Sequence, residues 1–133
     1  MKNLPYLFAS VCIGIILFQC IMVAPAINKL INSVDASVFL RNIWPKFFLI
    51  IAIVSLISLI TIIINSNRNL FKYLSFLSFL LMTFCYLITP VINNAKDSSN
   101  EQLWSTLHLV TIILTALTLI FNILTVYYWD PKN

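Results

Sequence analysis

The charged residues of this chain are distributed so that four long stretches carry no charge at all. These uncharged stretches are residues 3–28, 47–67, 73–95 and 102–129. Even the shortest, 47–67, is long enough to cross a bilayer, because a helix needs about 20 apolar residues to span the hydrocarbon core. The pattern therefore predicts four transmembrane helices.

The composition agrees with this prediction. Of the 133 residues, 61% are hydrophobic and 9% are charged, whereas a soluble domain is about 45–50% apolar and about 25% charged. We therefore predict an all-α integral membrane four-helix bundle, formed by a single domain, with both termini on the same side. The net charge of +4 comes from a few residues near the membrane surface, which indicates contact with the lipid bilayer and no nucleic-acid partner.

The four helices are predicted near residues 5–28, 46–65, 70–92 and 102–129. The eight Lys and Arg residues divide evenly between the two sides of the membrane, so the positive-inside rule does not decide the orientation. We expect cytoplasmic termini in a bacterial-type inner or plasma membrane. The link over residues 29–46 has two interpretations: an amphipathic helix lying on the membrane, or extensions of the first two helices.

The fourth predicted helix carries a polar stripe. Its spacing of three and four residues keeps six side chains on one helix face: His108, Thr111, Thr115, Thr118, Asn122 and Thr125. The stripe has two interpretations, a packing face between helices or a polar pathway through the bundle. We favour packing, because threonine hydroxyls can bond carbonyls of their own helix.

His108 is the only histidine and lies one to two turns inside the last helix. Ionisable residues within a membrane span are costly and often functional, although a hydrogen-bonded packing histidine is the alternative. The candidate polar site comprises His108, Glu101, Thr111, Asn28 and Asn93. Because there is no paired intramembrane carboxylate, Ser/His/Asp arrangement or Gly-rich phosphate loop, we assign no catalytic residue and no metal site, and the cofactor stays unknown.

Two similar segments close the first and third apolar runs, "APAIN" at residues 24–28 and "TPVIN" at residues 89–93. Two interpretations are open: an internal duplication, or a chance similarity between two helix ends. Proline cannot continue the helical hydrogen bonding, so we expect Pro25 and Pro90 to mark the points where the two helices kink or end. Any polar mouth of the bundle should then lie at that end, beside the start of the last helix.

Four short motifs carry a family resemblance: "VAPAINKL", "IWPKFF", "TPVIN" and "LWSTLHLVT". With them the chain resembles the transmembrane protein 205-like family of four-span membrane proteins. That resemblance implies a four-helix membrane bundle with no settled biochemical activity. Leu114 stands where the family often has an asparagine. A weaker resemblance, through "RNIW" and the first proline, is to the anthrone-oxygenase-like family.

Two classes of function are consistent with these features. The first is a non-enzymatic membrane protein, either a small carrier or an accessory subunit that contacts other membrane proteins or further copies of itself. It is favoured because polar packing residues are abundant while no catalytic set is present. The second is a small redox or ligand-binding membrane enzyme that uses haem, a metal or a quinone, with His108 in the site.

Overall fold

The computed structural model describes residues 3–65 and 68–129. The first membrane span comprises α1 (Leu4–Leu17), a π-helical segment (Phe18–Val23) and α2 (Ala24–Leu30). The other three are single helices, α3 (Ser33–Asn65), α4 (Asn69–Asp97) and α5 (Glu101–Tyr128). All four spans are long and apolar enough to cross a membrane, so the predicted all-α membrane bundle is confirmed.

The spans are arranged in a ring. Consecutive spans pack against each other and α5 returns to α1, whereas among the described residues the backbone of α1 does not approach that of α4, nor the backbone of α3 that of α5. Four spans of alternating direction bring both termini to one end. There the ring centre of Trp129 lies 5.0 Å from that of Phe71 at the start of α4. Both rings pack beside the buried Ile62 near the end of α3.

A second apolar cluster holds the middle of the bundle. It joins side chains from α1, α3 and α4, with Ile51, Met82 and Cys85 fully buried at its centre. Large apolar side chains such as Ile21, Ile64 and Leu87 are more than 60% exposed on the outer surface. An outer surface of this kind is suited to contact with lipid tails.

Pro25 does not end the first span, contrary to one of the two outcomes expected for it. Proline has no N–H to donate to the carbonyl four residues back, which belongs to Ile21. The π-helical segment stands immediately before it, and there the N–H of Ala24 reaches the carbonyl of Gln19. The wider π-helical turn accommodates the hydrogen bond that Pro25 cannot make, and the chain continues as α2.

Pro90 does not end the third predicted helix either, contrary to one of the two outcomes expected for it. Pro90 lies inside α4, which continues to Asp97. The carbonyl of Tyr86 loses its helical donor there. The turns beyond Pro90 are held by tertiary contacts, because Ala95 is buried and the residues that follow form ion pairs with other helices.

The link over residues 29–46 extends its neighbours, and the interpretation as a separate surface helix is wrong. Only Ile31 and Asn32 separate α2 from α3. Asn32 begins α3, because its Oδ1 accepts a hydrogen bond from the backbone N–H of Asp35 at 2.9 Å. At 33 residues α3 is about 50 Å long, whereas the hydrocarbon core is about 30 Å thick. The first turns of α3 therefore extend beyond the uncharged part of the bundle.

From Thr118 onwards the polar stripe of α5 is buried and behaves as a packing face. The hydroxyls of Thr115, Thr118 and Thr125 donate to carbonyls of their own helix at 2.7–2.9 Å. Asn122 Nδ2 likewise donates to the Thr118 carbonyl at 2.8 Å and reaches Ser78 Oγ on α4 only at 3.5 Å. Because most of its polar groups are satisfied within the helix, the stripe requires no partner in a polar pathway.

Candidate functional site

A cavity of about 810 Å³ lies between the spans at the end away from the termini. All four spans contribute to its wall. The volume falls within the range of about 300–1,000 Å³ that is typical of small-molecule sites. We take it as the candidate functional site.

The cavity is elongated along the helices. On α5 its wall runs from Trp104 to Leu119, about 22 Å at 1.5 Å per residue. On α3 it runs from Ser33 to Phe48, which is the same length. It therefore begins among the charged ends of the helices and reaches into the uncharged part of the bundle. Apolar side chains dominate its deep part: Ile16, Leu17, Phe48, Ile112, Ala116 and Leu119.

Polar and aromatic side chains line the opposite part, which we call the mouth. Its members come from all four spans: Asn28, Arg41, Asn93, Lys96, Trp104 and His108. Two of them are cations, and no Asp or Glu is found among the described residues that line the cavity. The cavity is therefore amphipathic, with a cationic mouth and an apolar interior.

Lys96 organises the mouth where α4 turns into α5. Its Nζ donates to both carboxylate oxygens of Glu101 at 3.0 and 3.2 Å. The same ammonium lies 4.3 Å from the ring centre of Trp104, a cation–π contact. The Trp104 ring is stacked on the His108 imidazole with centroids 5.4 Å apart.

The tight connection between α4 and α5 makes this arrangement possible. Ser99 adopts a left-handed conformation with φ 56°, and the side chain of Asn100 caps α5 by accepting from the Leu103 N–H at 3.1 Å. Lys96 in the last turn of α4 is thereby brought against Glu101 in the first turn of α5. Each charge also has the sign that its helix end favours.

A second ion pair joins α3 to α4. Arg41 Nη1 lies 2.7 Å from Asp97 Oδ1. Arg41 is on the part of α3 that extends beyond the uncharged stretch, and it lines the cavity while Asp97 does not. The side chain of Asp97 is 59% exposed. The pair therefore holds the α3 extension beside α4 without adding negative charge to the cavity wall.

Four of the five predicted site residues meet at this cavity. His108, Thr111, Asn28 and Asn93 all line it, which agrees with a polar mouth at the end of the bundle where the two similar segments lie. Glu101 does not line it and is connected to His108 only through Lys96 and Trp104. The Thr111 hydroxyl donates to the His108 carbonyl at 2.8 Å.

Sequence reasoning missed the cationic residues of the site. Arg41 falls within the link over residues 29–46, and Lys96 lies beyond the predicted end of the third helix at residue 92. One available signal was the five-residue separation of Lys96 from Glu101 across a short link, since such a link brings the ends of two antiparallel helices together. Nothing comparable in the sequence pointed to the pairing of Arg41 with Asp97.

The groups on the cavity wall are suited to binding an amphiphile. Across residues 3–65 and 68–129, no three His, Cys, Asp or Glu side chains come together as a metal-binding group. What the described residues offer is one imidazole, two amides, two cations and indole rings above an apolar interior. Such a set can hold the polar head of an amphiphile while its apolar body occupies the interior.

Comparison with known proteins gives a family without an assigned activity. A family model described as a domain of unknown function, DUF4149, matches residues 7–101. No curated protein and no solved structure matches the chain. Since the match covers more than half of the sequence, the protein belongs to the DUF4149 family.

Proposed function

We propose that this member of the DUF4149 family is a small membrane carrier or binding protein that takes an amphiphilic molecule into its cavity. The observation that supports this most directly is the amphipathic cavity itself, which has a cationic mouth and an apolar interior and is about 22 Å long in all, roughly three-quarters of the thickness of a bilayer core. The polar head of the ligand lies at the mouth. Its apolar body lies along α5, against Ile112 and Ala116.

Binding in this cavity depends on the head more than on the tail. An apolar chain that leaves the bilayer for the cavity exchanges one apolar environment for another, so its burial adds little affinity. Hydrogen bonds and charges at the mouth have no such equivalent in the hydrocarbon core. The mouth is therefore the part that selects the ligand, and the interior sets its length.

The proposal is tested by filling the interior. Ala116 lines the cavity, so Ala116→Phe places a ring where the apolar body would lie. Ala26→Phe is the matched control, because Ala26 is exposed on α2 and does not line the cavity. Native mass spectrometry of protein purified in mild detergent measures the occupancy of a co-purified or added amphiphile.

We expect Ala116→Phe to lower the occupancy at least about tenfold, equivalent to about 1.4 kcal/mol, and Ala26→Phe to leave it unchanged. Equal occupancy in all three proteins would show that the cavity does not hold the ligand. A loss in both variants would point to a general defect of the bundle, and a thermal unfolding measurement on each variant identifies it. In that case Ile112→Trp, at another wall position, repeats the test.

The resemblance to the transmembrane protein 205-like family remains part of this proposal. It is supported by the motif residues Trp44, Trp104, His108 and Thr111, all of which line the cavity. Leu114, where the pattern departs, packs against the central apolar cluster. A family model built from that family alone tests the assignment, and it should cover the last helix as well as residues 7–101.

Location in a bacterial-type inner or plasma membrane, with cytoplasmic termini, also belongs to the proposal. With this orientation the mouth faces the opposite side. Reporter fusions at the C-terminus decide the question: a cytoplasmic reporter should be active there and an exported phosphatase inactive. The reverse pattern would place the mouth on the cytoplasmic side.

A second candidate function is a small redox or ligand-binding enzyme, with His108 as the reactive or ligating group. The specific observation in its favour is that His108 lines the cavity and stacks on Trp104. A visible absorption spectrum of the purified protein tests for haem, and extraction tests for a quinone. A bound group that is lost in His108→Ala but kept in His108→Gln would favour a packing role for the ring, and loss in both would favour ligation.

The accessory-subunit version of the first function predicts stable contact with other membrane proteins or with further copies of the chain. Cross-linking in native membranes followed by purification tests it. A partner recovered in constant ratio supports that version. Recovery of the monomer alone would leave the carrier version.

A further inference from the structure

The charge on the wall of the cavity is all of one sign. Arg41 and Lys96 line the mouth, while the carboxylates that pair with them, Asp97 and Glu101, stand outside the lining. A ligand in the cavity therefore meets both cations on a wall that their carboxylate partners do not line. From this asymmetry, and resting on the proposed function, we infer that the ligand is a lipid with a net anionic headgroup.

Arg41 can take a second anion while it keeps Asp97, whereas at Lys96 the second anion competes with Glu101. The guanidinium of Arg41 has five N–H donors in a planar fork, and its contact with Asp97 uses Nη1. The ammonium of Lys96 has three donors and is exposed. Charge-assisted hydrogen bonds of this kind are about twice as strong as neutral ones. The amides of Asn28 and Asn93 add neutral donors at the same level.

The depth of the cavity matches one leaflet of a bilayer. From His108 to Leu119 the wall on α5 is about 16 Å long. Half of a hydrocarbon core of about 30 Å is about 15 Å. A lipid of the leaflet on the mouth side can therefore place its headgroup at Arg41 and Lys96 and one chain along α5. A small free anion would leave the apolar interior empty, so the geometry favours a lipid as the source of the anionic group.

The test compares two lipids with identical chains. Purified protein in mild detergent is titrated with phosphatidylglycerol, which is anionic, and with phosphatidylcholine, which is net neutral, and binding is read by native mass spectrometry. We expect phosphatidylglycerol to bind about tenfold more tightly, a difference of about 1.4 kcal/mol. Inorganic phosphate in millimolar excess should not displace it.

Variants at Lys96 separate recognition from a structural role. Lys96→Gln should reduce the preference for the anionic lipid to less than about threefold, while Lys96→Arg retains it. Lys29→Gln is the matched control, because it removes one positive charge on α2, at the same end of the bundle, from a residue that does not line the cavity. The control should keep the full preference.

Glu101→Gln gives the sharpest contrast. If Lys96 acts only by tying α4 to α5, removal of Glu101 has the same effect as removal of Lys96. If Lys96 binds the headgroup, removal of its competing carboxylate tightens phosphatidylglycerol binding by about twofold to fivefold. Opposite effects of the two variants support the inference, and equal losses contradict it.

The outcomes distinguish this inference from the proposed function. Equal affinity for the two lipids, with both lost in Ala116→Phe, overturns the anionic headgroup and leaves the cavity as a binding site. Affinity that Ala116→Phe does not change overturns the proposed function itself. Displacement by inorganic phosphate would assign the mouth to small anions and overturn the lipid as occupant.

Discussion

Replacing Asn122 by leucine tests whether apolar packing or polar bonding holds the bundle together. Asn122 is buried, but its short hydrogen bond at 2.8 Å stays within α5, and its contact with Ser78 on α4 is 3.5 Å long. A cross-helix hydrogen bond in a membrane contributes about 0.6 kcal/mol on average. Leucine is an apolar side chain of similar size, so Asn122→Leu should lower the free energy of unfolding by less than about 1 kcal/mol.

Met82→Ala is the packing counterpart. Met82 has no exposed surface and lies in the central apolar cluster, where α1, α3 and α4 meet. Truncation of a buried methionine costs about 2–5 kcal/mol, since a cavity remains where the side chain was. Met82→Ala should therefore destabilise the protein several times more than Asn122→Leu.

The native cysteines can report the unfolding of both variants. Cys12 and Cys85 are about 1% exposed or less, so a thiol-reactive fluorogenic dye reports their exposure as the bundle unfolds in detergent. A Cys20→Ala background removes the signal of the cysteine that is exposed in the native state. One kcal/mol corresponds to about 3–6 °C in a chain of this length. A shift for Asn122→Leu as large as that for Met82→Ala would refute the packing account.

Three further predictions use the same preparation. In native protein N-ethylmaleimide should modify Cys20 and leave Cys12 and Cys85 unmodified, as read by intact mass, and modification of all three would contradict the burial of Cys12 and Cys85. A bound amphiphile should slow the reaction of Cys20, because Cys20 lines the cavity. Pro90→Ala should raise the unfolding temperature by a few degrees, since it restores a donor inside α4 at an exposed position, whereas a fall would show that the proline itself is required there. Arg41→Gln should change stability by less than about 1 kcal/mol, because the Asp97 side chain of its ion pair is 59% exposed, while still weakening binding of anionic lipid.

The sequence predicts the number and order of the spans well because the penalty for charge in hydrocarbon is large. The sequence predicts helix length poorly, because the penalty for charge marks only the part of a helix that lies in hydrocarbon. The uncharged stretch before Arg68 begins at residue 47, but α3 begins at Ser33, because a helix can continue into the headgroup layer without being apolar. Pro90 likewise does not end α4, since its local cost is outweighed by tertiary contacts that only the fold provides.

The candidate site was likewise predictable only in part. Asn28, Asn93 and His108 were placed together because helix ends on one side of a membrane must share a layer, and all three line the cavity. Neither the cavity nor its cationic mouth was predictable in this way. Both depend on the ring arrangement of the spans and on the α3 extension that carries Arg41, which are tertiary properties.

The function proposed for this protein requires that an amphiphile lie inside the bundle and not merely around it. It is tested most directly with a phosphatidylglycerol analogue that carries a photoreactive diazirine in its chain, cross-linked to the protein in a bilayer and mapped by peptide sequencing. Labelling on α5 should concentrate at Thr111 and Thr115, which line the cavity and are buried. Labelling confined to Leu109, Ile113 and Ile120, which are about half exposed and do not line it, would contradict it.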